Sequence, residues 1–479
     1  MFRCLINTGV LPAETLLPKA ILPWGLALSM LIALLYLATQ IGQSDFFPLI
    51  GIYSFLFIAY LWIFRTATRK NLGFWLAVAV VMRLVLVFIF PLLSDDVYRF
   101  IWDGLLVVNG YNPFNYLPAT LIAEGPIVPG LDQDLFDSLN SPEYFTIYPP
   151  IAQATFAVAT FLFPKSIYGA AVVMKVFLFV FELGSLILIL KLLKHWQMPL
   201  KNSLLYALNP LIVIELCGNL HYEGAMVFFL LLSIWLVVKG KDWFSAAMLA
   251  FSVASKLLPL MFFPFWVKRL GERRTSDEKG SFISQLWYSI KQIDFSRNIY
   301  FFLLCFVILL VLFSPLLNGV FVKHFGDSIG LYFQKFEFNA SVYYLLRWVG
   351  YQTKGYNLIA TIGPRLALGT FTGIVLLFLW ERKVDWKSLP LKMLWGICLY
   401  LLFTTTVHPW YTSLPIVLCL FTRFRFPILW SGLIYFTYIN YSYPTYHENL
   451  TVVAIEYSLV FALFVIELFR GKQARPILS

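Results

Sequence analysis

Residues 94–114 read SDDVYRFIWDGLLVVNGYNPF and follow directly on an apolar run ending FIFPLLS. Two adjacent carboxylates, Asp95 and Asp96, therefore stand at the mouth of a membrane segment, with Arg99 and Asp103 close behind. If VYRFIWDGLLV is helical, Asp95, Arg99 and Asp103 share one face at spacings of four, with Trp102 beside them. Carboxylates and a cation at a lipid–water boundary are the residue types that move protons and hold anions. The same pattern also fits a solvated acidic helix start favoured by the helix dipole. The surroundings favour a site: GYNPF makes a turn, FTIYPPIAQ returns the chain to the membrane, and the loop between is too aromatic for disorder.

Further polar residues interrupt apolar sequence downstream. LNPLIVIELCGNLHYEG (208–224) carries Glu215, Asn219, His221 and Glu223. A single histidine among scattered carboxylates lacks metal-ligand spacing, and the lining of a sugar pocket accounts for the mixture better. SKLLPLMFFPF places Lys256 in an apolar segment, where an unpaired ammonium costs several kcal/mol, so it is expected to face a cavity and an anion. Arg83 and the pair Lys175/Glu182 raise the same question, with structural ion pairing an equally good account. FTTTVHPWYTSLP sets His408, Trp410 and Tyr411 at a helix break, either as an interfacial aromatic belt or as contacts to a sugar or phosphate. KFEFNASVYYLLRWVGY (335–351) is an aromatic amphipathic stretch expected to lie on the membrane, with Glu337, Asn339 and Arg347 available to a ligand.

Positioning these groups takes a membrane scaffold. The 479 residues are 60% hydrophobic and 13% charged, with a mean hydropathy of +0.77, more apolar surface than a water-soluble chain can hide. ILPWGLALSMLIALLYLATQI (21–41) can cross a hydrocarbon core of about 30 Å, and it lacks the cleavage pattern of a signal peptide. Similar stretches recur to the end, predicting an all-α, polytopic transmembrane helical bundle of 12–14 membrane segments and one domain. The segment 147–163, opened by Pro149 and Pro150, is expected to re-enter the membrane, and 243–267, interrupted by SKLLP, to be a broken pair.

The net charge of +11 does not imply nucleic acid, because its distribution follows the membrane. RTATRK (65–70), VKRLGERR (267–274) and ERKVDWK (381–387) are basic connections, which the positive-inside rule makes cytoplasmic, together with the loop 267–297 and both termini. The loop 94–146 holds eight acidic residues and one basic residue, so it belongs to the other face, with the amphipathic loop 318–357. Five cysteines show no ligand spacing and are expected to pack. The sequence shows no internal repeat, which weakens a transporter built on inverted halves.

Taken in order, the acidic pair, RFIWDG, GYNPF, YPP, NPL with GNLHYE, and KLLP resemble the polytopic glycosyltransferases of the GT-C superfamily. The resemblance is to the polyprenyl-phosphate-mannose-dependent mannosyltransferases of bacteria and the catalytic subunit of GPI mannosyltransferase I. Its motifs run from Ser94 to Tyr411, about two-thirds of the chain. Asp-Asp stands where members often show Asp-x-Asp or Asp-Glu, which leaves open which aspartate is the base. The resemblance implies transfer of a hexose, with mannose favoured, from a polyprenyl-phosphate donor to a lipid or glycan acceptor, with inversion at the anomeric carbon. It makes Asp95 or Asp96 the acceptor of the hydroxyl proton and gives the departing phosphate to Arg99, Lys256 and His408. Asp103, Asn219, His221, Glu223, Trp410 and Tyr411 would then contact substrate. No cofactor is implied, and a divalent cation is allowed but not required. The setting implied is a bacterial plasma membrane with the site on its periplasmic side. A lipid-linked glycan flippase would use the same charges without a base, but alternating access does not call for a large acidic loop. An O-antigen-type polymerase or ligase would take a diphosphate donor, and a non-enzymatic scaffold would need no donor.

Overall fold

The computed structural model describes residues 21–125, 128–271, 293–381 and 384–473, and its regular elements are helical. Of the basic loop 267–297, residues 272–292 lie outside the described residues. Among the described residues six helices are long and apolar enough to cross a membrane, and seven if the bent pair Leu200–Ala207 and Ile212–Gly218 counts as one span. In chain order the principal helices are α1 (Ile21–Gln40), α2 (Phe46–Thr66), α3 (Leu72–Val87), α4 (Asp96–Val108), α5 (Pro150–Leu162), α6 (Ile167–His195) and α7 (Glu223–Val238). They continue with α8 (Asp242–Ser255), α9 (Phe295–Phe313), α10 (Phe321–Gln334), α11 (Val342–Lys354), α12 (Ile359–Leu379), α13 (Leu389–Phe403) and α14 (Leu450–Gln473). Four of these, α3, α5, α7 and α13, are apolar but shorter than a full crossing. The apolar stretches 409–419 and 426–441 are broken into short α and 3-10 pieces. Large apolar side chains such as Trp24, Phe47, Ile58, Phe306, Phe371 and Phe461 are exposed on the outer helices, as a multi-pass protein in lipid requires.

Local sequence explains the breaks. Pro150 opens α5 at its first position, where a missing N–H costs nothing. Lys256 ends α8 in an extended conformation, and Pro259 lies in the 3-10 turn Leu258–Phe262 before the chain resumes at Phe263–Arg269. The acidic loop is an ordered cap. Its helix α4 packs along α5, sharing a core of Phe100, Trp102, Leu105 and Phe156 that continues into Ala170 and Met174 of α6. Gly104 makes this approach feasible, since a Cβ there would meet the Phe156 carbonyl oxygen at 2.5 Å. Opposite the cap, the segment after α10 runs beside residues 404–407: the Phe338 N–H donates to Thr405 O at 3.1 Å, and Val407 N–H to Phe338 O at 2.7 Å.

The expected Lys175/Glu182 pair does not form. Glu182 is paired with Arg83 at 3.1 Å, both fully buried, and it also accepts from the Tyr206 hydroxyl at 2.6 Å. Lys175 instead donates to the Leu86 and Ile89 carbonyls at the end of α3, groups that a helix terminus leaves without partners.

Candidate functional site

A cavity of about 610 Å³ opens between the acidic cap, the start of α7, the break after α8 and the 336–338 and 406–411 segments. Asp95, Asp96, Arg99, His221, Glu223, Lys256, His408, Trp410 and Tyr411 all line it. These positions span more than three hundred residues of sequence, and the fold brings them to one cavity.

The two aspartates differ. Asp96 is the first residue of α4, and its carboxylate accepts from the Asn140 amide at 2.8 Å and the Tyr148 hydroxyl at 3.2 Å. Asp95 precedes the helix, and its carboxylate has no hydrogen-bond partner among the described residues. The residue is exposed at the cavity, and partial desolvation by the surrounding protein, followed by the neighbouring Asp96 charge, raises its pKa from the ordinary aspartate value.

Arg99 does not pair with Asp95. It binds Asp103 at 2.9 Å, one turn along α4, and its Nη1 donates to the carbonyls of Ser141 (3.1 Å) and Tyr144 (2.9 Å). Its Nη2 is buried with no partner among the described residues, a cationic donor at the cavity wall. Asp103, expected to touch substrate, is fully buried behind that wall. Thr146 (2.5 Å) and Gln153 (2.9 Å) donate to its second oxygen, so it orients Arg99 and pins the returning loop. Asn219, also expected at the substrate, lies outside the lining and donates to Glu215 at 3.1 Å.

Across the cavity Lys256 pairs with Glu223 at 3.0 Å. Its side chain is 20% exposed and lies over the Tyr148 ring, so its remaining N–H groups have room for an anion. Phe338, His408, Trp410 and His221 form a column of stacked rings, with centroid separations of 4.6, 4.5 and 3.7 Å in that order. Within it, burial pushes the His408 pKa down to about 4, so this ring is uncharged at neutral pH and can offer one N–H but no cation.

Asn339 and Arg347, expected to be available to a ligand, are engaged elsewhere: Asn339 with Glu448 and Glu456, and Arg347 with Glu337. The lining also includes Tyr148 of the YPP motif and four residues that the sequence did not single out, Asn140, Tyr438, Tyr441 and Tyr446. The density of tyrosine in FTYINYSYPTYH (436–447) was a usable signal, while Asn140 carried none. Among the described residues no group of three or more His, Cys, Asp or Glu side chains is arranged to hold a metal ion.

Residues 22–271, just over half of the chain, match a family model described as alpha-(1->6)-mannopyranosyltransferase, N-terminal domain. Alpha-(1->6)-mannopyranosyltransferase A of Mycobacterium tuberculosis is 24% identical over 360 residues, which cover 68% of this chain. The chain spans 61% of the length of that relative.

Proposed function

The chain belongs to the alpha-(1->6)-mannopyranosyltransferase family, and from that premise we propose that it transfers mannose from a polyprenyl-phosphate donor to a lipid or glycan acceptor. The reaction lies in the cavity beneath the acidic cap, on the extracytoplasmic side of the plasma membrane. The observation that carries the reading is the unpartnered Asp95 carboxylate opening on the same cavity as Lys256 and Arg99 Nη2.

Asp95 takes the proton of the acceptor hydroxyl as that oxygen attacks the anomeric carbon. The bond from that carbon to the phosphate oxygen breaks, and its electron pair leaves with the polyprenyl monophosphate. Attack from the face opposite the phosphate inverts the centre, so an alpha product requires a beta-linked donor. Lys256 and Arg99 stabilise the charge that accumulates on the leaving phosphate, and His408 adds a neutral N–H. Asp96, held by Asn140 and Tyr148, keeps the Asp95 pKa raised and fixes the start of α4. Incubating membranes containing the protein with radiolabelled polyprenyl-phosphate mannose should yield labelled acceptor in a reaction that Asp95→Asn abolishes. Incorporation from a diphosphate-linked oligosaccharide instead would replace this reading with that of a polymerase or ligase.

A further inference from the structure

His221 in the cavity wall is paired with a carboxylate behind it, Glu215, and the reaction above uses neither. Glu215 is fully buried, and four donors converge on its carboxylate: the Tyr435 hydroxyl at 2.5 Å, and the Tyr438 hydroxyl, the Asn219 amide and His221 Nδ1 each at 3.1 Å. His221 Nδ1 also lies 3.0 Å from the Glu215 backbone carbonyl, which can only accept. A nitrogen facing two acceptors carries a proton, so in the neutral form of the ring the lone pair lies on Nε2. That Nε2 is buried and has no partner among the described residues, an uncommon state for a buried polar atom, in a side chain that lines the cavity.

The backbone is bent to place this ring. Residues 212–218 form a widened turn in which the Asn219 N–H reaches back to Ile214 O at 2.9 Å, and Leu220 adopts φ +63°, a conformation that a bulky side chain seldom takes. Such local strain persists where the surrounding structure holds it, commonly at a binding site. Trp410, stacked on His221 at 14°, fixes the ring plane from the other side.

We propose that Glu215 and His221 form a specificity dyad in which Glu215 is a positioning residue and His221 Nε2 accepts a hydrogen bond from one hydroxyl of the bound sugar. This rests on the sugar-transfer reading above, and no bond is made or broken in it. A lone pair pairs with a hydroxyl, which donates, and not with an ionised phosphate oxygen, which only accepts. The cavity therefore divides its labour: Lys256 and Arg99 recognise the phosphate, and the dyad recognises the sugar.

The test is equilibrium binding of farnesyl-phosphate-linked mannose and its 2-, 3-, 4- and 6-deoxy forms to the full-length protein in detergent. In the parental protein one deoxy form should bind about three- to tenfold more weakly than the complete sugar, the net worth of one hydrogen bond. In His221→Ala that penalty should vanish while the others stay. In Glu215→Gln, which keeps the shape but loses the charge polarising the ring, it should shrink. His221→Phe keeps the ring stack without its nitrogens and serves the same purpose should the alanine variant not fold. Deoxy penalties that all persist in the His221 variants overturn the dyad, whatever those variants do to turnover. If the parental protein binds the mannosylated probe no better than farnesyl phosphate alone, the transfer reading itself falls, and the dyad with it.

Discussion

Arg269 and Arg99 are both buried guanidiniums paired with a carboxylate in an apolar bundle, yet they are built to different ends. Arg269, at the end of the bundle that carries the basic connections, has every N–H occupied. It meets both Glu381 oxygens (3.0 and 2.5 Å), the Ser388 hydroxyl (3.0 Å) and the carbonyls of Phe265 (2.7 Å) and Asp385 (2.8 Å). Arg99 leaves Nη2 without a partner beside a cavity, and nearby Lys256 keeps one face open although Glu223 neutralises it. An unmet donor in a low-dielectric interior is costly, and Arg269 has none. Arg83, paired with Glu182 away from the cavity, also leaves its Nη2 without a partner among the described residues, so what sets Arg99 apart is an unmet donor in a residue that lines a cavity.

Substitutions at the cavity should therefore damage the reaction, and substitutions at the brace should damage the fold. The largest effect is expected at the base. Asp95→Asn should lower kcat by a factor of about 100 to 10,000 while donor binding and thermal stability stay near parental values. Asp96→Asn, which removes an orienting carboxylate, should lose less. Parental rates in both single variants and the double variant would break the proposed mechanism and favour a transporter. Lys256→Met should raise the donor KM or lower kcat about 10- to 1,000-fold, with a smaller fall in melting temperature than at Arg269, because Lys256 is partly exposed although its partner Glu223 is buried. Arg269→Met should do the reverse, costing about 3–5 kcal/mol of stability through an orphaned buried Glu381, with donor KM unchanged. Thermal melts in detergent alongside steady-state kinetics would separate the two, and a Lys256 variant that melts early with normal KM would erase the contrast.

A smaller effect concerns pH. Asp95 must be ionised to accept a proton, so the rate falls as pH drops through its pKa. Because that pKa is raised, the acid limb of kcat/KM should lie above the range of an ordinary aspartate. Removing the Asp96 charge in Asp96→Asn should move the limb to lower pH, and a limb that stays in place would dissociate the two carboxylates. The mildest test leaves activity untouched. Cysteine placed at Asp134 or Asp137 should react with a membrane-impermeant reagent in intact cells, and cysteine at Lys387 should not. The opposite labelling would put the cavity on the cytoplasmic face.

Features set by neighbours in the chain could be read without coordinates. Long apolar runs required a helical membrane protein, and Pro150, Pro259 and the SKLLP break appear where proline chemistry demands them. The acidic pair, Lys256 and the His-Pro-Trp-Tyr break were conspicuous because polar groups in apolar sequence are costly and need a reason. Partner choice was a different matter, since it depends on which helices pack together. Glu182 meets Arg83 and not Lys175, and Asp103 is sealed by Thr146 and Gln153 once α4 lies on α5. Glu215 finds Tyr435 across 220 residues of sequence, and four rings from three distant segments form one column beside the cavity. Residue type and local spacing can announce that a charge in lipid needs a counterpart. Only tertiary packing, which decides the distances over which Coulombic attraction and hydrogen bonding act, selects that counterpart and leaves Asp95, Arg99 Nη2 and His221 Nε2 without one.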